Sequence, residues 1–177
     1  LTIDSDIQHL AEKTLGNRVG AVVVLKPGNG EILAMVSYPY FDPNIFNTDE
    51  AGAYYQTLIE DEKNQPLVNR VVNAVYPPAS TFKIIMSAAM LQEDVFPANK
   101  KIECRGRLVY GGRVFHCHVH EPGHGWLDMK GGLGQSCDVY YWTIGRDYLG
   151  ISKIAAYSKE FGFGQSSKID LPSQQSG

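Results

Sequence analysis

The 177 residues suffice for one domain with its own core, and 44% hydrophobic against 20% charged residues describes an ordinary globular chain. A net charge of −3 gives no basic field for nucleic acid, and no apolar stretch reaches the length of a membrane span. Three cysteines cannot all pair with one another, which argues against a pure disulfide framework.

In chain order, Asp4 or Ser5 is placed to cap a first helix whose apolar stripe is Ile7, Leu10, Ala11 and Leu15. The β-branched run Val19 to Lys26 turns at Pro27-Gly28-Asn29-Gly30 and returns through Glu31 to Ser37, which predicts a hairpin. Tyr38 to Asn47 carries prolines and aromatics without periodicity and reads as loop. Asp49 to Glu62 reads as helix with Leu58 and Ile59 inward, and Asn69-Arg70 as a surface pair on a connecting segment. Tyr76-Pro77-Pro78-Ala79-Ser80-Thr81-Phe82-Lys83 then opens an apolar run to Leu91, with Ser80 at the expected N-cap. Val109 to Phe115 predicts a short hairpin about Gly111-Gly112. Val139 to Leu149 predicts an aromatic-rich helix ended by Gly150, and Ile151 to Phe161 a last helix burying Ile154, Ala155 and Phe161. A helix, paired strands and later helices imply α+β, with helices packed on an antiparallel sheet. No linker or repeat divides residues 1–177, so the chain reads as one domain or part of one. It begins abruptly at Leu1 and stops at Gly177, as a piece of a longer protein would.

The chemistry concentrates at Ser80 and Lys83. Three residues apart on a helix they share one face, and a hydroxyl near the positive end of a helix beside an amine makes a nucleophile without histidine. The four-residue spacing S-x-x-K alone is also that of a capped core helix with a snorkelling lysine.

With its context, Y-P-P-A-S-T-F-K resembles the nucleophile motif of penicillin-binding proteins. The variant with two prolines, together with Gly123-His124-Gly125 and Ser136-Cys137-Asp138, resembles the elongation type of class B members. Ser136-Cys137-Asp138 matches the family's second motif, although Ser and Asp before an apolar run are also ordinary helix caps. Asp138 stands where many members carry Asn and should favour the protonated lysine in the free enzyme. The third motif, K-[ST]-G, does not occur, and Lys130-Gly131-Gly132 lacks its hydroxyl residue. The resemblance therefore covers the first two-thirds or so of a transpeptidase domain, and this portion alone is expected to be poorly active or inactive.

What the resemblance implies is a truncated serine penicillin-recognising fold. Ser80 would attack the D-Ala-D-Ala carbonyl of a peptidoglycan stem peptide, with Lys83 as base, Ser136 as proton relay and Asp138 binding substrate. The backbone N–H of Ser80 would be one oxyanion donor. β-Lactams would acylate the same serine, and a SEDS-family glycosyltransferase would be the partner. The expected location is the bacterial cell membrane with a periplasmic catalytic domain, and the expected role is cell-wall elongation and cell shape. Two rivals remain: a β-lactam-hydrolysing or -sensing relative on the same fold, and a non-catalytic interaction module.

Cys104, Cys117, His124 and Cys137 are separated by 13, 7 and 13 positions, too loose for a zinc-finger signature. Three thiolates and an imidazole are nevertheless a standard structural zinc set. An extended Arg113 to His118 would point His116 and His118 one way and Cys117 the other. The turn at Glu121-Pro122-Gly123 would return His124 to the cysteine's side, and Cys137 would face away from the cleft. The expectation is a structural zinc and no organic cofactor; a Cys104–Cys117 disulfide or free thiols are the alternatives.

Overall fold

The computed structural model describes residues 1–176, which fall into two compact units, Leu1–Val75 with Lys168–Gln175, and Tyr76–Ser167 with Ser176.

In the first unit, helix α1 (Ser5–Leu15) starts where Asp4 caps it, its carboxylate accepting the N–H groups of Asp6 and Ile7 at 3.0 Å. Strands β1 (Gly20–Leu25) and β2 (Ile32–Tyr38) form an antiparallel hairpin in the expected place, with Val22 opposite Val36. Alternation sends Val22, Val24, Ala34 and Val36 to the face that α1 covers with Ile7, Ala11 and Leu15. Leu10 is exposed, one step off that stripe. Pro43–Asn47 forms a short 3₁₀ turn within the expected loop. Helix α2 (Ala51–Glu60) buries Leu58 and leaves Ile59 exposed.

Arg70 corrects the reading of Asn69-Arg70 as a surface pair. It is buried, and its guanidinium donates to the carbonyls of Asn64, Gln65 and Val68. Its N–H donates to Ser37 Oγ, which in turn donates to the Val68 carbonyl, so the arginine ties a non-repetitive segment to β2. A charge buried among carbonyls has no sequence period, which is why pattern alone misplaces it.

The second unit is built on helix α3 (Lys83–Gln92), whose Ile85, Met86, Ala89 and Met90 are buried while Ile84 and Leu91 stay exposed. Strand β3 (Ile102–Cys104) and the hairpin β4 (Arg107–Tyr110) and β5 (Arg113–His116) follow, the hairpin turning at Gly111-Gly112 as expected. Strand β6 (Gly125–Leu127) pairs antiparallel with β3, bringing Gly125 opposite Cys104. Helix α4 (Met129–Gly134) leads to helix α5 (Asp138–Ile144), which runs on through a π turn, Gly145–Leu149, into helix α6 (Gly150–Glu160). The core joins Met86, Met90, Phe96, Leu127, Tyr140 and Ile144 to all three cysteines. Helix α6 turns Ile154 and Tyr157 inward, while Ala155 and Phe161 are exposed, contrary to the expectation for them. Among the described residues the sheets are three separate two-stranded antiparallel pairs with helices against them, an α+β arrangement.

Candidate active site and thiol cluster

Ser80 does not cap a helix. Ala79–Phe82 forms a 3₁₀ turn, α3 begins only at Lys83, and neither start has a side-chain cap. The hydroxyl is therefore free of that duty and lies at the solvent-facing end of the turn. Ala79 immediately before it has φ +50°, in the left-handed region where an L-residue costs about 1–2 kcal/mol.

Lys83 is 8% exposed and does not snorkel. Its Nζ meets Ser136 O at 2.6 Å, Asp138 Oδ1 at 2.6 Å, Ser136 Oγ at 3.0 Å and Ser80 Oγ at 3.3 Å. An ammonium has three N–H groups, and the three shorter contacts use them all. Ser80 Oγ is the fourth and most distant neighbour. The resting arrangement thus holds the lysine by Ser136 and Asp138. Asp138 responds in kind: burial opposes its ionisation, but the hydrogen bond and charge of Lys83 outweigh that and hold its carboxyl below the usual carboxylate range.

The second motif reaches Lys83 because Ser136 also adopts φ +52°, after the Ser136 N–H closes α4 on the Leu133 carbonyl. Two left-handed non-glycine residues, Ala79 and Ser136, thus lie beside the groups gathered at Lys83. Nothing in the sequence marks Ala79 or Ser136 for that conformation, since neither is Gly, Asn or Asp. Beneath the site, Ser87 Oγ donates to the Lys83 carbonyl at 2.8 Å and lies 2.6 Å from the Tyr141 hydroxyl. That buried link fixes the first turn of α3 to α5, and sequence reasoning passed over both residues.

Behind the catalytic loop, one ligand atom each of Cys104, Cys117, His124 and Cys137 lies within 4.8 Å of the other three. The β3–β6 pairing brings Cys104 beside His124, and the backbones there touch. A Cβ on Gly123 would lie 2.3 Å from the Cys104 carbonyl oxygen, and one on Gly106 2.0 Å from that of His120. Both glycines have positive φ, so close approach and conformation each exclude a larger residue. Cys137 supplies the N-cap of α5, its sulfur accepting the Tyr140 N–H at 3.4 Å. Cys117 Sγ accepts the N–H of Asp138 at 3.3 Å. All three cysteines are free and almost fully buried, with no disulfide among the described residues.

The donors fit a tetrahedral ion. Bonds of about 2.3 Å to sulfur and about 2.0 Å to nitrogen put an S···N edge near 3.5 Å. The observed edges from His124 Nδ1 are 3.5 Å to Cys104 Sγ and 3.6 Å to Cys117 Sγ. Burial, with His118 nearby, keeps His124 below its ordinary value and so neutral, the form that ligates. Burial works against the Cys117 thiolate, but the N–H groups of Val139, Asp138 and Val119 outweigh it and lower the pKa. Burial and the neighbouring sulfurs push Cys137 up instead, a penalty that a cation among the thiolates would remove.

One orientation differs from the expected alternation. β5 ends at His116, and beyond it Cys117 and His118 both turn towards Asp138: the His118 N–H donates to Asp138 Oδ2 at 3.3 Å and its Nδ1 lies 3.7 Å from that oxygen.

A serine on an exposed turn, a buried lysine one helical turn on and a Ser-x-Asp loop opposite define the acyl-serine site of the penicillin-recognising fold. The chain belongs to the penicillin binding protein transpeptidase domain family, which matches residues 20–177. It is 35% identical over 178 residues to the peptidoglycan D,D-transpeptidase MrdA of Acinetobacter baumannii, covering 100% of this chain and 26% of that protein. Penicillin-binding protein 2 of Helicobacter pylori, also solved in complex with MreC, superposes with TM-score 0.89 at 30% identity over 99% of this chain and 33% of its own. For Pseudomonas aeruginosa PBP2 in complex with WCK 5153 the figures are 0.87, 31%, 100% and 40%. The chain thus spans about a quarter of the length of the MrdA relative. No helix among the described residues is long and apolar enough to cross a membrane.

Proposed function

We propose that the protein is a serine D,D-transpeptidase that cross-links peptidoglycan stem peptides during cell-wall elongation. The observation that carries this reading is Lys83 Nζ lying within hydrogen-bond reach of both Ser80 Oγ and Ser136 Oγ, 3.3 and 3.0 Å away. In its neutral form Lys83 takes the Ser80 proton as Oγ attacks the carbonyl carbon between the two terminal D-alanines. The C–N bond breaks, D-alanine leaves with a proton relayed through Ser136, and the donor stem remains as an ester on Ser80. An amine of a neighbouring stem then attacks that ester, forms the cross-link and restores the serine hydroxyl. A β-lactam opens onto Ser80 in the same way and stays, because its leaving nitrogen remains tethered.

The likeness to a PBP2 solved with MreC supports a place in an elongation assembly. A SEDS-family polymerase as partner, and a membrane anchor that holds the catalytic domain in the periplasm, belong to the same proposal.

We also propose that Cys104, Cys117, His124 and Cys137 hold a structural zinc ion; the donor set and the edge lengths support it. Four protein ligands leave no open position, so such an ion supplies fixed geometry rather than a reacting atom. The chain's own residues translate that geometry. Cys137 starts α5, Cys117 accepts the Asp138 N–H, and Ser136 and Asp138 hold Lys83.

The deciding experiment uses the protein that carries this chain together with a K-[ST]-G segment. Fluorescent penicillin should form an adduct that mass spectrometry maps to Ser80, persists for many minutes, and is absent from Ser80→Ala. An adduct on another residue ends the nucleophile assignment, and rapid turnover of the adduct makes the protein a β-lactam hydrolase instead.

A further inference from the structure

We infer that the mouth of the catalytic cleft carries a second, open divalent-cation site formed by Cys117, His118 and Asp138, through which excess zinc inhibits acylation. Cys117 Sγ, His118 Nδ1 and an Asp138 carboxylate oxygen lie within 4.8 Å of one another. The His118 nitrogen is 3.9 Å from the sulfur and 3.7 Å from Asp138 Oδ2. Thiolate, imidazole and carboxylate together suit a borderline dication such as zinc.

The accessibility of this group differs from that of the four-donor cluster. The His118 side chain is 52% exposed and that of Asp138 25%, whereas the cysteines of the cluster are at most 1% exposed. Three protein ligands and a solvent-facing side describe an exchangeable site with one position left for water. The Asp138 carboxylate has the capacity for it. Oδ1 is taken by Lys83 at 2.6 Å, but Oδ2 receives only the His118 N–H at 3.3 Å and keeps a lone pair free. Cys117 would belong to both sets, as a thiolate bridging two ions when the inner one is present.

Occupancy has a consequence for the catalytic groups. An ion on Oδ2 divides the Asp138 charge between itself and Lys83, fixes the carboxylate on the His118 side and fills the cleft beside Ser136. The substrate then loses both the space and the Asp138 contact, so acylation slows as the outer site fills. This consequence rests on the transpeptidase reading above; the binding itself does not.

The test separates the two. Metal-free protein is titrated with zinc alone, and bound ion is counted after dialysis with and without a weak chelator. Cobalt serves as a second probe because its visible bands report coordination. A second equivalent should bind, be removed by the weak chelator while the first remains, and be lost in His118→Ala with retention of the first. Penicillin labelling of the unmodified protein should fall to a plateau as the second equivalent enters, and His118→Ala should lose that zinc dependence. Saturation at a single equivalent, or retention of the second in His118→Ala, overturns the site. Binding of both equivalents without any labelling, in the protein that carries this chain together with a K-[ST]-G segment, would reject the transpeptidase reading and leave the site standing. Two equivalents with labelling indifferent to the second would overturn the inhibitory role.

Discussion

Gly132→Ala places one methyl group where the catalytic loop, the thiol cluster and the core converge. The added Cβ would lie 2.8 and 2.9 Å from two atoms of the Tyr140 ring and 3.3 Å from a third. Ordinary carbon contacts are about 3.5–4.0 Å, so the ring must retreat by roughly 0.7–1 Å. It has nowhere to go, being fully buried beside the equally buried Met90, while the Tyr140 backbone N–H is bonded to Cys137 Sγ. Overpacking of this kind costs about 1–3 kcal/mol, against a helix-propensity gain of up to about 1 kcal/mol. The net loss of up to about 2 kcal/mol predicts a fall in melting temperature of up to about 8 °C for a chain of this size. Gly134→Ala in the same helix is the control, since its Cβ would meet nothing within 4 Å. It should gain about 0.5–1 kcal/mol from propensity alone. The two variants thus move in opposite directions in one thermal scan. The Gly132 carbonyl accepts the Cys137 N–H at 2.8 Å, so the same displacement should reach Ser136 and Asp138 and slow penicillin labelling. A Gly132→Ala protein that melts at or above Gly134→Ala would refute the close packing on which the reasoning depends.

Lys83→Ala should lower the rate of penicillin labelling by about 10²–10⁴-fold, the usual contribution of a general base, measured by quenched-flow or gel fluorescence; an unchanged rate would remove Lys83 from the mechanism. Cys104→Ser should reduce the tightly held zinc found by elemental analysis, lower the melting temperature and slow labelling, although Cys104 lies far from Ser80 in sequence. His120→Ala should leave all three unchanged; loss of the ion there would show that the ligand set has been misassigned. Glu93 is held below its ordinary carboxyl range by the hydrogen bond from Lys153 and then by that from Tyr157. A depressed folded-state value makes this tie stabilising above the unfolded value and lost as pH falls through the folded one. Melting temperatures of the unmodified protein and Glu93→Gln should therefore differ at neutral pH and converge as the pH falls through the lowered folded-state value; a gap independent of pH would refute the assignment.

The features legible in the sequence are those whose physics is local. The cap at Asp4, the β1–β2 hairpin and the Gly111-Gly112 turn each depend on residues within one or two turns of chain, and each lies where its pattern puts it. The proposed catalytic groups were nominated for a different reason: Ser80, Lys83, Ser136 and Asp138 lie in family motifs, and the structure brings Ser80, Ser136 and Asp138 to the Lys83 nitrogen. The errors fall where tertiary context overrides a local rule. Ser80 has the composition of an N-cap, yet its hydroxyl faces Lys83, and α3 starts three residues later without a cap. Arg70 has the composition of a surface residue, yet backbone carbonyls that no pattern anticipates surround it. His118 reads as the far side of a strand only if the strand continues, and it stops at His116. The thiol cluster lies between these cases. Residue types alone nominated Cys104, Cys117, His124 and Cys137, but their meeting depends on β3 pairing with β6 and on two glycines that let backbones touch. That pairing also explains why the cluster and the catalytic loop are not independent. Ser136, Cys137 and Asp138 are consecutive, so a sulfur fixed in the core leaves its two neighbours little choice but to face Lys83.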